Sequence, residues 1–197
     1  AELLDANSLR DARLRLTLTR GDLHAATADD PVPPVTLLLT GDAFEPYPAD
    51  FFANGVTVAI SRYRQNPDSP LAGHKTTSHF DRLVALREAR ELHAVEALWF
   101  TAHDNILAEG SISNIFIVEK NGFLATPPLM LPERSDQPAR PLCLPGITRQ
   151  VIMELAMGGS AEGAAASSGL NMLPHERLLT IDDLLAAREV FLTNAIM

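Results

Sequence analysis

The sequence predicts an α+β (mixed α/β) fold, and three observations carry that expectation. Strand-like runs outnumber helical ones. The two kinds alternate along the chain with no internal repeat. The composition, 46% hydrophobic and 21% charged, is that of a globular chain with a core. At 197 residues there is material for one full domain or two small ones.

Taken in order, RLRLTLT (13–19) alternates apolar and polar side chains, as a half-buried strand should. Residues 20–34, rich in Gly, Asp, Ala and Pro, read as a loop. VTLLLT (35–40) and VTVAIS (56–61) read as strands on either side of a proline-bearing connection, and RYRQNPDSPLAG (62–73) is turn-rich. From Thr77 to Leu92 the apolar residues Phe80, Leu83, Val84, Leu86 and Leu92 fall near helical spacing, with Ser78 as the expected N-cap. EALWFT (96–101), ILAEG (106–110) and NIFIVE (114–119) continue as strands; a turn at Asp104-Asn105 separates the first two. Lys120-Asn121-Gly122 is a turn that closes a hairpin onto FLAT (123–126). A long proline-rich loop (127–146) leads to a helix over 147–157, and GGSAEGAAASSG (158–169) is a low-complexity connection. A helix around IDDLLAA (181–187) and a buried strand, EVFLTN (189–194), complete the pattern.

The formal net charge of −9, with no basic run to offset it, argues against a nucleic-acid partner. No run approaches about 18 uninterrupted apolar residues, so no membrane span is expected. The stretch AELLDANSL has no basic region followed by an apolar core, so no signal peptide is expected. Cys143, the lone cysteine, has no partner for an internal disulfide, and a cytoplasmic location is the expectation. Six scattered histidines give no metal-ligand spacing, and no metal is expected.

The cations are more informative. Of 16 Lys and Arg residues, only Lys75 and Lys120 are lysines. Arginine keeps its proton at any physiological pH, whereas a primary amine that can lose one is needed to attack a carbonyl. Lys120 sits at the expected turn. Lys75, in LAGHKTTSHF (71–80), is therefore the credible nucleophilic amine. Three other segments bear on it. AEGSISNIF (108–116) places Glu109 beside Gly110, Ser111, Ser113 and Asn114 at a turn before a strand. LPGITR (144–149) puts Gly146 at a helix start, where the N–H groups of Ile147 and Thr148, the Thr148 hydroxyl and the helix dipole can hold a phosphate. LTNA (192–195) ends a strand with small polar groups that could bind the same anion. Singly, an LPG is an ordinary helix start, and an acid beside glycine an ordinary turn.

Together and in this order, HKTTSHF, LAEGSISNIFIV with the following TPPL, LPGITR and EVFLTNA resemble the class IV aminotransferase family of pyridoxal-phosphate enzymes, from about Arg13 to the last residue. That family includes branched-chain and D-amino-acid aminotransferases and aminodeoxychorismate lyases. The resemblance implies a two-lobed fold with pyridoxal 5'-phosphate between the lobes. It implies that Lys75 is the Schiff-base lysine and that Glu109 pairs with the pyridine nitrogen. Ile147 and Thr148 match the phosphate cradle, and Asn194, with Thr193 alongside, matches the second phosphate contact. It also implies a homodimer with active sites near the subunit boundary.

The sequence departs from the family pattern in three places. Full-length members carry an N-terminal lobe with an arginine that grips the cofactor phosphate, and this chain begins after that point. An incomplete N-terminal lobe is therefore expected, with residues 1–70 as its remnant and the interdomain connection, and 71–197 as the C-terminal cofactor-binding lobe. Branched-chain members have a tyrosine five residues after the lysine; here Phe80 stands there. No motif fixes the substrate-carboxylate arginine, and Arg20 is the candidate. The expected function is amino-group transfer between a small amino acid and a 2-oxo acid. The alternatives are an aminodeoxychorismate lyase releasing p-aminobenzoate and pyruvate, and a non-catalytic fragment that does not bind cofactor.

Overall fold

The computed structural model describes residues 2–21, 35–135, 137–157 and 174–196. They fall into two compact units, one running to Pro48 and a second from Ala49 to Ala195. The strand at 58–65 pairs within the second unit.

In the first unit, α1 (Glu2–Ala6) leads to β1 (Ala12–Thr19), which pairs antiparallel with β2 (Thr36–Ala43) along its whole length. A Cβ on Gly41 would lie 3.2 Å from the Leu14 side chain and 3.7 and 3.8 Å from those of Leu3 and Leu9, so three leucines crowd that point of the strand. The alternation of β1 does not make it half-buried: Leu14, Leu16 and Leu18 are all exposed. A two-stranded ribbon has no second layer of its own to cover a face.

The second unit opens with α2 (Ala49–Asn54) and β3 (Val58–Gln65). A parallel strand cannot follow through a tight turn, and α3 (Phe80–Glu91) makes the crossover to β4 (Glu96–Thr101), parallel to β3. β5 (Leu107–Gly110) returns antiparallel to β4, giving a sheet in the order β3-β4-β5. Ala85 and Ala89 of α3 join Ala94, Ala97 and Trp99 in one buried cluster, where small side chains let the helix lie close to β4. β6 (Asn114–Val118) and β7 (Leu124–Thr126) form the expected hairpin, with Lys120 exposed at its turn. Within the proline-rich loop, β8 (Met130–Leu131) and β9 (Arg140–Pro141) pair with each other. α4 (Ile147–Ala156) follows, then β10 (Pro174–Glu176), α5 (Ile181–Ala186) and β11 (Glu189–Thr193). The second sheet runs β10-β7-β6-β11, with β10 parallel to β7 and the other pairs antiparallel. Leu98 and Phe100 of β4, Leu107 of β5, Ile115 and Ile117 of β6, Ala125 and Leu179 form the core between the sheets, each strand presenting alternate residues to it.

Two local expectations are corrected. The N-cap of α3 is His79 rather than Ser78, and its side chain caps nothing; the Ser78 carbonyl instead accepts from the Thr76 hydroxyl at 3.3 Å. β11 is an edge strand with one neighbour, and Glu189 and Val190 are exposed rather than buried. The connection at 158–169 and most of the loop at 20–34 lie outside the described residues.

Candidate functional site

Glu109 is the centre of the second unit's polar cluster. It stands on β5 and is 5% exposed, although a carboxylate at a turn would ordinarily be solvated. Its Oε1 accepts from Arg82 Nη2 at 3.1 Å and its Oε2 from the Leu144 N–H at 3.0 Å. Each oxygen keeps capacity for one more donor. Burial pushes its pKa above the ordinary glutamate value; Arg82, the Leu144 N–H and the Lys75 ammonium pull the other way without overcoming it. Lys75 is exposed in the segment ahead of α3 and close enough for its charge to act on this carboxyl.

The turn after Glu109 is organised by a second carboxylate. Glu96, 1% exposed at the start of β4, accepts from the N–H groups of Ala97 at 2.8 Å, Ser111 at 2.9 Å and Ile112 at 3.3 Å, and from the Ser113 hydroxyl at 2.8 Å. Three of these four donors belong to residues 111–113, and the shared carboxylate holds them in a tight arc. Gly110 is required inside that arc, since a Cβ there would come within 2.3 Å of Ser113 Oγ and 2.9 Å of the Glu96 carboxylate.

The helix start expected to hold an anion is joined to Glu109 through Leu144. The Leu144 carbonyl accepts from Asn114 Nδ2 at 3.0 Å, and Asn114 heads β6, where it pairs in register with Thr193 of β11. Gly146 is the extended N-cap of α4, and Asn114 Oδ1 packs so close that a Cβ on Gly146 would meet it at 2.0 Å. The first-turn N–H groups of a helix have no partner within it, and here they include those of Ile147 and Thr148. The Thr148 hydroxyl donates to the Asn194 carbonyl at 2.9 Å, tying the start of α4 to the end of β11. Its proton is thus already used, which leaves the backbone N–H as this residue's donor for an anion. Thr193 Oγ1 is buried with no hydrogen-bond partner. Arg149, next along α4, is directed elsewhere, to the Pro127 carbonyl at 2.9 Å and to Glu176.

The structure therefore gathers Lys75, Glu109, Ile147, Thr148, Thr193 and Asn194 into one unit. Arg20 follows β1 in the first unit, exposed. Sequence reasoning missed Arg82, Gln65 and Glu96. Arg82 sits among the polar positions of an ordinary helical run and carries no sequence signal. Glu96 does carry one: it opens EALWFT, a run apolar enough to be buried on both faces, so its charge had to be met internally. Among the described residues, no group of three or more His, Cys, Asp or Glu could hold a metal ion, and no helix is long and apolar enough to cross a membrane.

The family model described as Amino-transferase class IV matches residues 1–197. A protein of Methanocaldococcus jannaschii named "Putative branched-chain-amino-acid aminotransferase" is 30% identical over 194 residues, covering 98% of this chain and 58% of that protein. The chain thus spans well under two thirds of this relative's length. Among solved structures, a "Putative 4-amino-4-deoxychorismate lyase" from Legionella pneumophila matches with a TM-score of 0.73 at 21% identity, over 100% of this chain and 62% of that one. A branched-chain aminotransferase from Thermoproteus uzoniensis, solved with norvaline, also has a TM-score of 0.73, at 24% identity over 99% of this chain and 58% of that one. At these identities the two structures speak for the fold. The match of the family model over every residue goes further, and the chain belongs to the class IV aminotransferases.

Proposed function

We propose that the protein is a pyridoxal-phosphate-dependent aminotransferase that moves an amino group between a small amino acid and a 2-oxo acid, with Lys75 as the reacting amine. The observation that carries this reading is the linked set Glu109–Leu144–Asn114–Gly146, which joins a buried carboxylate to a helix start with unpaired N–H groups. The cofactor has a ring nitrogen and a phosphate at opposite ends, and the set offers a partner for each. The orphaned Thr193 hydroxyl beside that helix start is a buried polar atom that a bound phosphate would satisfy.

When bound, the cofactor supplies an aldehyde and an electron-accepting pyridine ring. Lys75 Nζ would offer the primary amine for that aldehyde and a base for the proton on the substrate Cα. Glu109 accepts the ring N–H and holds that proton in place. The N–H groups of Ile147 and Thr148 donate to the phosphate, with Thr193 and Asn194 closing the cradle. Arg20 is assigned to the substrate carboxylate, residues 1–70 to the remnant of the first lobe and the interdomain connection, residues 71–197 to the cofactor-binding lobe, and the assembly to a cytoplasmic homodimer.

A lyase reading rests on Phe80. It stands where branched-chain members have a tyrosine, and it is 78% exposed at the first position of α3. Borohydride treatment of the cofactor-loaded full-length protein, followed by peptide mapping, tests the main reading. A pyridoxyl label on Lys75 is expected; a label on Lys120, or no cofactor uptake, overturns it. Pyruvate released from an amino substrate with no 2-oxo-acid acceptor present would favour the lyase.

A further inference from the structure

Arg82 is held by every group around it. It lies in the first turn of α3 with its side chain 17% exposed. Nη1 donates to the Gly110 carbonyl at 3.0 Å, while Nη2 donates to Gln65 Oε1 at 2.7 Å and to Glu109 Oε1 at 3.1 Å. The guanidinium carbon stands 4.3 Å from the centroid of the Trp99 ring, and Trp99 Nε1 is itself anchored on Ser111 Oγ at 2.9 Å. Gln65 is fixed in turn by donating to the Leu142 carbonyl. One planar fork thus grips both the backbone and the carboxylate of the strand end that carries Glu109, and an aromatic face backs it.

We propose that Arg82 is a positioning residue for the cofactor ring nitrogen, acting through Glu109: it sets the orientation and the charge of the carboxylate that faces that nitrogen. The inference rests on the pyridoxal-phosphate reading above. Arg82 fixes Oε1 and the Leu144 N–H fixes Oε2, so the plane of the carboxylate is determined from both sides. Burial favours the neutral acid, which would offer the ring nitrogen a weaker partner, and Arg82 is the strongest of the groups opposing it. The other titratable groups that bear on Glu109 are Lys75, ahead of α3, and the Cys143 thiol, which burial pushes up to about 12 and keeps neutral. Glu96 of β4 is engaged by residues 111–113 and does not take the Arg82 fork. A lysine at position 82 would retain the charge but could not stack on Trp99 and hold three acceptors in one plane.

The test uses full-length protein with ¹³C-labelled glutamate carboxyls, Glu109→Gln serving to assign the signal, and separately with ¹⁵N-labelled pyridoxal phosphate. In the cofactor-free protein, Arg82→Met should raise the Glu109 titration midpoint by about one pH unit or more, and Arg82→Lys should restore most of that shift. In the loaded protein, the ring-nitrogen signal should be that of a protonated pyridine at neutral pH in the wild type. It should move towards the unprotonated form in Arg82→Met and part of the way in Arg82→Lys. A folded Arg82→Met with the wild-type midpoint overturns the inference. If that variant does not fold, Arg82→Lys decides: a wild-type ring-nitrogen signal overturns the positioning role, and a shifted one supports it. Failure of the wild type to take up pyridoxal phosphate would instead overturn the functional reading, and the cofactor-free titration would still report whether Arg82 governs Glu109.

Discussion

Glu109 is costly to the fold, and in the function proposed above it is useful to the site. Burial raises its pKa, and neither the Arg82 ion pair nor the Leu144 N–H cancels that effect. The folded protein then holds a proton on Glu109 more tightly than the unfolded chain does. Ionised Glu109 therefore lowers stability at neutral pH, and the loss is relieved as pH falls from the raised folded value through the ordinary glutamate value. In chemical denaturation of the cofactor-free protein, the wild type should gain stability relative to Glu109→Gln across that window; parallel pH profiles would mean that the shift is absent. In turnover the sign reverses. Glu109→Gln should still load cofactor but lose on the order of 10²-fold in rate, because an amide cannot hold a proton on the ring nitrogen. Lys75 and Glu109 can be singled out in the sequence because the chemistry proposed for them admits few residue types. Arg82 cannot, because its role depends on which strand end the crossover helix happens to cover.

At the scale of elements, strands were read well where hydrophobic patterning and turn chemistry agreed, as in β4 to β7, whose runs and turns fall where the sequence put them. What depends on neighbours was less legible. The alternation of β1 marks it as a strand but cannot say whether anything covers it, and β10 is too short for any periodicity. α5 has a helix start specified by side chains on both sides of its first turn. Thr180 Oγ1 accepts from the Asp183 N–H at 3.4 Å, and Asp183 Oδ2 accepts from the Thr180 N–H at 2.7 Å, a reciprocal cap placed directly after the fully buried Leu179. Thr180→Ala should cost about 1 kcal/mol of stability, read as a lowered denaturation midpoint with an unchanged slope. Burial pushes the Asp183 carboxyl up, but the Arg177 guanidinium and the N–H and hydroxyl of Thr180 together hold it below the ordinary aspartate value. The stability contributed by that carboxylate is thus present above the unfolded-state pKa and lost as pH falls through the depressed one. Asp183→Asn should be less stable than wild type at neutral pH and equal to it once the acid is protonated.

For the whole molecule, the feature that matters is how far apart in sequence the site's parts lie. Lys75, Glu109, Gly146 and Thr193 come from four separate stretches; Glu109, Gly146 and Thr193 are linked through Leu144 and Asn114 only when both sheets and α4 are in place, and the Lys75 charge acts on Glu109. A ligand that touches all of them binds the folded state and not the unfolded one, so it should raise stability by mass action, about 2.7 kcal/mol at a hundredfold excess over its Kd. Thr193 separates this linkage from ordinary packing. Its hydroxyl is buried and unpartnered, which costs roughly 1–3 kcal/mol wherever no ligand supplies the missing bond. Thr193→Val has nearly the same shape and removes the orphan. The cofactor-free variant should therefore melt at or above the wild-type temperature, while its gain in Tm on adding pyridoxal phosphate should be smaller. Inorganic phosphate, which the α4 N–H groups cannot distinguish from the cofactor's own phosphate, should diminish the cofactor-induced shift in the wild type. A variant that is destabilised without cofactor yet gains as much from it as the wild type would place Thr193 in the core and outside the phosphate site.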